Sequence, residues 1–283
     1  MSRVEIFDAT QCSLGEGPLW HPTRQQFFWF DINAKRLYTR VGTDTTHWQF
    51  DEHVSAAGWI DADHLIVASE TALLRFDIAS GTSETLCALE ADNPLTRSND
   101  GRADPWGGFW IGTMDKKATK GAGGIYRYYK GELRQLFDDW TIPNAMCFDA
   151  GKRFACITDT ITNVVQRVPL EADTGWPSGP AQDWLTLGDR FHPDGAVLDA
   201  QGNFWCAQYG HGRLTCHDTN GALIHDIALP AKQPTCPAFC GARLDELWVT
   251  SAAQGMADPG TADGQTFRIA APVKGVAEYQ VVA

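Results

Sequence analysis

Long apolar runs are missing from this chain. No stretch of its 283 residues approaches the roughly 18 consecutive apolar residues of a membrane-spanning helix, so no membrane partner is expected. Near the amino terminus Glu5 and Asp8 stand where a secretory leader would be apolar, which makes a cytoplasmic location the expectation. Basic charge is scarce: 23 Lys and Arg face 35 Asp and Glu, for a net charge of −12. A nucleic-acid partner is therefore excluded, because phosphate binding needs clustered cations. Cys236 and Cys240 are four apart, but no second pair completes zinc-ribbon spacing. The eight cysteines read instead as buried free thiols, several of them inside apolar runs such as Phe154-Ala-Cys-Ile. There is no Gly-x-Ser-x-Gly elbow, which argues against a serine hydrolase. Helical periodicity is missing too.

What is present is repetition. With 43% hydrophobic and 20% charged residues the chain has the makings of a folded core, and its 27 glycines and 11 tryptophans suit short aromatic strands joined by tight turns. One pattern recurs six times: a polar lead residue, a short strand, a turn with Asp and Gly or Pro, and a second, aromatic strand. Asn99, Asn144 and Asp194 each precede by ten residues a Phe that opens the second strand, at 109, 154 and 204. Looser copies start at Glu16, Ser55 and Thr235. The steps between lead residues are 39, 44, 45, 50 and 41, the spacing of four-stranded propeller blades. Third strands follow, as in Leu73-Leu-Arg-Phe-Asp and Gly124-Ile-Tyr-Arg-Tyr, with alternating polarity. Residues 2–8 read as a strand that completes the last blade. A β-sandwich would not explain the shared offset. The expectation is all-β: one six-bladed β-propeller over residues 1–283, with four antiparallel strands per blade.

In a propeller the first strand of each blade lines the central channel, so equivalent repeat positions ring the axis at one height. The lead residues are Glu16, Ser55, Asn99, Asn144, Asp194 and Thr235, and all of them carry side-chain oxygen. Such a ring suits a hard cation. Strand capping or bonding to channel water is the plainer use of any one of them. Two carboxylates so close would repel unless a cation neutralised them.

At these residues the chain resembles the regucalcin/gluconolactonase family of six-bladed propellers. The segments are Leu14-Gly-Glu-Gly-Pro-Leu-Trp-His-Pro, Arg97-Ser-Asn-Asp-Gly-Arg-Ala-Asp-Pro, Gly112-Thr-Met, Ile142-Pro-Asn-Ala, Pro193-Asp-Gly and Pro234-Thr-Cys-Pro-Ala-Phe. The resemblance implies metal ligands at Glu16, Asn144 and Asp194, and substrate contacts at Arg97 and Asn99. It also implies Asp194 as the base in hydrolysis of sugar lactones, namely aldonolactones; aldarolactones enter only through the basic residues considered next. One divalent ion is implied, with calcium, zinc, manganese, magnesium and iron all open.

The chain departs from that pattern after Gly112-Thr-Met, where Lys117 stands about where many relatives carry a sugar-contacting acid. Arg97, Arg102, Lys116, Lys117 and Lys120 are expected near the channel mouth, either as solvated charge or, with Lys117 foremost, as contacts to a substrate carboxylate. The remaining readings are a non-enzymatic calcium-binding propeller and a phosphotriesterase- or arylesterase-type propeller. A monomer or weak homodimer acting on a small sugar lactone is expected.

Overall fold

A computed structural model describes residues 3–188 and 191–283. Six four-stranded antiparallel sheets are arranged as a six-bladed β-propeller. The inner strands are Gly15–His21, Val54–Trp59, Thr96–Ala103, Pro143–Phe148, Pro193–Leu198 and Gln233–Cys240, and each of the six expected lead residues lies on one of them. Five blades follow chain order from inner to outer strand. The sixth takes its outer strand, Val4–Asp8, from the amino terminus, paired with Thr266–Ala270. This is the closure expected of residues 2–8, with Glu5 and Arg268 forming an ion pair at 2.7 Å across it. Among the described residues the single helical element is a 3-10 turn, Thr160–Thr162, and no helix is long and apolar enough to cross a membrane.

The repeat has a local cause. Each second strand is covered by neighbours on both faces and so reads as a nearly unbroken apolar run. Phe27, Phe28, Trp29 and Phe30 are all buried. Phe28 and Phe30 pack with Leu65, Val67 and Phe76 of the next blade, so the core lies between blades. The turn Asp closes the corner between first and second strands. Asp104 Oδ1 accepts from Trp106 N and Gly108 N at 2.9 Å, and Asp199 Oδ1 accepts from Gln201 N at 2.8 Å and Asn203 N at 3.0 Å. Asp199 Oδ2 also accepts from Trp205 Nε1 at 3.0 Å, tying the turn to the aromatic strand. Such side-chain-to-backbone bonds are what make Asp a turn residue. All eight cysteines are free, and seven are buried.

Asp104 also meets Arg127 at 2.6 Å, with both side chains fully buried. The Arg127 guanidinium lies over the rings of Tyr129 at 4.7 Å and Trp176 at 4.3 Å. Removing one member of such a pair strands the other charge. Asp104→Ala is expected to lower unfolding free energy by about 3–5 kcal/mol in urea titrations. Arg243→Ala, which breaks an exposed pair with Asp245, should leave the unfolding free energy nearly unchanged. Equal losses would show that the buried pair carries no special weight.

Candidate metal and substrate pocket

Every inner strand breaks register immediately at its lead residue. The ladder shifts between Glu16 and Leu19, Val54 and Ala56, Ser98 and Gly101, Asn144 and Cys147, Pro193 and Ala196, and Pro234 and Pro237. A bulge re-aims a side chain that regular pleating would send elsewhere. At two of them the following residue is left-handed: Gly17 at φ 53° and Ala145 at φ 59°. A Cβ on Gly17 would come within 2.2 Å of Ser55 O, so this corner is built for glycine.

The bulges open a pocket of about 130 Å³ at one end of the channel. Glu16, Arg97, Asn99, Asn144 and Asp194 line it together, with Thr160, Tyr209 and Gln254. Leu14, Met114 and Ile142 form an apolar wall. The other two lead residues do not line it. Ser55 Oγ donates to Ser98 Oγ at 2.8 Å, and Thr235 Oγ1 donates to Gly15 O at 2.5 Å, so both hydroxyls join neighbouring inner strands. Thr160 and Tyr209 follow second strands ending at Asp159 and Gln208. Antiparallel pairing returns those strands to the lead-residue end, and by that rule both residues were findable in sequence.

The polar side chains orient one another. Arg97 Nη1 donates to Ser98 O at 2.7 Å and Asn99 Oδ1 at 2.9 Å. Asn99 Nδ2 donates to Pro143 O and Asn144 Oδ1, each at 3.0 Å. Asn144 Nδ2 donates to Thr160 Oγ1 at 2.8 Å, and that hydroxyl donates to Pro193 O at 2.7 Å. Thr160 thereby fixes the Asn144 amide and leaves its oxygen as the atom an electrophile would meet. Outer contacts of this kind aim ligands at a metal.

The lysines separate from the pocket. Lys116 pairs with Glu70 and donates to Pro94 O at 2.9 Å. Lys117 and Lys120 are exposed and are not among the lining residues. Arg102 is not at the mouth as expected: it is half-buried further along its inner strand, which runs inward from Asn99, and it pairs with Glu278.

Electrostatics set the character of the site. Burial, then the nearby Asp100 charge, pushes the Glu16 carboxyl up to about 8, against the opposing Gly17 N–H and Arg97. Asp194 is raised well above the usual range by burial, then by Glu16 and Asp100. Burial lowers Arg97 to about 10. Among the described residues no side chain donates to the Asp194 carboxylate, and Glu16 accepts only from Gly17 N, at 3.0 Å. No group of three or more His, Cys, Asp and Glu among them is arranged for a metal, so any cation here relies on amide oxygen as well. Two under-partnered carboxylates beside an oriented amide oxygen fit a hard divalent ion.

The model of the SMP-30/gluconolactonase/LRE-like region matches residues 14–253. A Rhizobium meliloti protein described provisionally as a sugar lactone lactonase is 38% identical over 93% of this chain and 91% of its own. The 6-deoxy-6-sulfogluconolactonase of Pseudomonas putida is 31% identical over 94% of each chain. A crystal structure of a calcium-binding protein, regucalcin, from Agrobacterium tumefaciens superposes with a TM-score of 0.97 at 37% identity, over 100% of this chain and 98% of that one.

The raised carboxyls carry a prediction about pH. In metal-free protein a folded-state value near 8, against 4.5 unfolded, means that the folded state holds an extra proton between those limits. Stability must therefore fall as pH rises through that window. The melting temperature of chelator-treated protein is expected to drop between pH 5.5 and 8, and added divalent ion to restore more of it at pH 8. Glu16→Gln should flatten the metal-free slope. An unchanged slope in that variant would remove Glu16 as its source.

Proposed function

The chain belongs to the SMP-30/gluconolactonase/LRE-like family, and from that premise we propose that it is a lactonase that opens sugar lactones to open-chain sugar acids with one divalent metal ion. The observation that carries the proposal is the meeting of Glu16, Asn144 and Asp194 with Arg97 and Asn99 in one solvent-open pocket. Glu16, Asn144 and Asp194 are the proposed metal ligands. A divalent ion held by them would supply a Lewis acid toward the lactone carbonyl. Asp194 is the proposed general base: it takes a proton from the attacking water as the new C–O bond forms, and returns one to the ring oxygen as the ring C–O bond breaks. Arg97 and Asn99 hold the sugar oxygens and fix the carbonyl near the nucleophile. Aldonolactones are the leading substrates, with aldarolactones next.

The free thiols support a reducing, cytoplasmic setting. We propose a monomer or weak homodimer, without nucleic-acid or membrane partners. Two specific observations keep other readings in view. The Leu14, Met114 and Ile142 wall would also accept the apolar part of an aryl ester. The similarity to a protein described as calcium-binding keeps calcium binding without turnover as the alternative to test.

The deciding experiment is a pH-stat screen of aldono- and aldarolactones, with an aryl ester in parallel, on protein stripped and reloaded with each metal. Lactone turnover is expected with several divalent ions, because oxygen donors do not select zinc. Tight calcium binding without turnover under any metal would favour the non-enzymatic reading. Asp194→Asn should lower kcat/KM by about 10²–10⁴-fold or more. Near wild-type activity at saturating metal would rule Asp194 out as base. Lys117, exposed on a loop at the pocket end, is the proposed discriminator for acidic substrates. Lys117→Glu should lower kcat/KM for an aldarolactone by about tenfold and leave a neutral lactone within about twofold. Equal effects on the two would remove Lys117 from the substrate contacts.

A further inference from the structure

The channel end opposite the pocket is crossed by the carboxy-terminal segment. Lys274 O accepts from Ala200 N at 3.0 Å, and Gly275 N donates to Leu244 O at 2.8 Å, on the fifth and sixth blades. Farther on, Val281 N donates to Trp59 O and Val282 N to Gly107 O, each at 2.8 Å, on the second and third. Trp59 Nε1 and Gln280 Nε2 add bonds to Glu278 O at 2.8 Å and Ile60 O at 2.6 Å. A Cβ on Gly275 would lie 2.0 Å from Phe239, so the segment is pressed against the blade at that point.

From this strap the Glu278 side chain pairs with Arg102. Their side chains are 9% and 11% exposed, so the pair is screened from solvent. Arg102 Nη2 also approaches Pro237 O at 3.4 Å. Two residues back on the same strand is Asp100, which is buried and whose Oδ2 accepts from Met146 N at 2.9 Å. Met146 follows Ala145, the left-handed residue after Asn144. Burial pushes the Asp100 carboxyl up, with Glu278 adding to it, and the Arg102 charge opposes this; the Asp100 charge in turn raises Glu16 and Asp194. Charges of alternating purpose therefore run from the pocket to the strap: Glu16 and Asp194, then Asp100, Arg102 and Glu278.

We propose that Glu278 is a positioning residue for the pocket's cation site, holding and neutralising Arg102 so that Asp100 adds its negative charge to that of Glu16 and Asp194. The inference rests on the reading that the pocket binds a divalent cation. Without the Glu278 carboxylate, the Arg102 charge is spent on Asp100 and the site meets its cation with one less effective negative charge. A strap that only sealed the channel would affect folding and leave cation affinity alone.

The test is calcium titration calorimetry on chelator-stripped full-length protein, without substrate. Glu278→Gln is expected to weaken binding about tenfold, the scale of losses when an outer partner of a metal site is removed. The double variant Arg102→Gln/Glu278→Gln removes charge in a balanced pair, and should return affinity to within about threefold of wild type. Equal binding by wild type and Glu278→Gln, or a double variant as weak as the single, would overturn the proposal. Should Glu278→Gln fail to fold, Asp100→Asn carries the same test, since it keeps an acceptor for Met146 N and loses only charge. It should weaken calcium about tenfold while raising the melting temperature of the metal-free protein. A fall in both, or unchanged affinity, would mark a merely structural role. Wild type that binds no divalent ion would defeat the metal reading itself, a result separate from these.

Discussion

Side chains more than a hundred residues apart can share one axis only if a ring of sheets closes, and here closure depends on pairing between Val4–Asp8 and Thr266–Ala270. The two segments come from opposite ends of the chain, so this join carries the loop-closure entropy of nearly the whole chain. Once it forms, each blade is clamped between two others and every inner strand is held at a fixed distance from the axis. Glu16 from the first blade and Asp194 from the fifth then meet in one pocket. Neither carboxylate is placed by its own sheet alone.

Closure sets where the inner strands lie, and the bulges set which way they face. The break in register recurs at the head of all six inner strands, which makes it part of the repeat and not an accident of one blade. Ala145 shows what this costs, since a non-glycine residue is held at φ 59°. Its backbone is kept there by neighbours: Asp100 bonds Met146 N on one side, and Thr160 bonds the Asn144 amide on the other. Local strain and ligand orientation are the same feature seen at two scales.

These devices differ in how visible they are from sequence. The blades were legible because each repeat carries its own physical reasons: a turn Asp that bonds backbone N–H groups, an aromatic strand buried on both faces, and a polar lead residue. The convergence of Glu16, Asn99, Asn144 and Asp194 followed from the repeat. The different fate of Ser55 and Thr235 did not, because a short hydroxyl reaches the adjacent inner strand before it reaches the axis. Arg102 differs from its expected place for a related reason: proximity to Asn99 in sequence is not proximity to the mouth, because the strand descends the channel. The strap from Lys274 to Val282 has no repeat to announce it, and its contacts with four blades depend wholly on tertiary structure.

The pocket also shows how a site can be specified by what is left without a partner. Elsewhere two fully buried charges face each other directly, as with Asp104 and Arg127. At the pocket the available donors are used on other atoms: Arg97 on Ser98 O and Asn99, Asn99 on Pro143 O and Asn144, Asn144 on Thr160. Glu16 and Asp194 remain, pushed toward protonation by burial, Glu16 then by Asp100, and Asp194 by Glu16 and Asp100. The blade cores can sustain that local penalty, since their packing lies between sheets and does not pass through the axis. A cation entering the pocket relieves the repulsion directly, so the energy that disfavours the empty site is returned on binding. Stability withheld at the axis thus becomes affinity there, and the charge arrayed beneath the site decides how much.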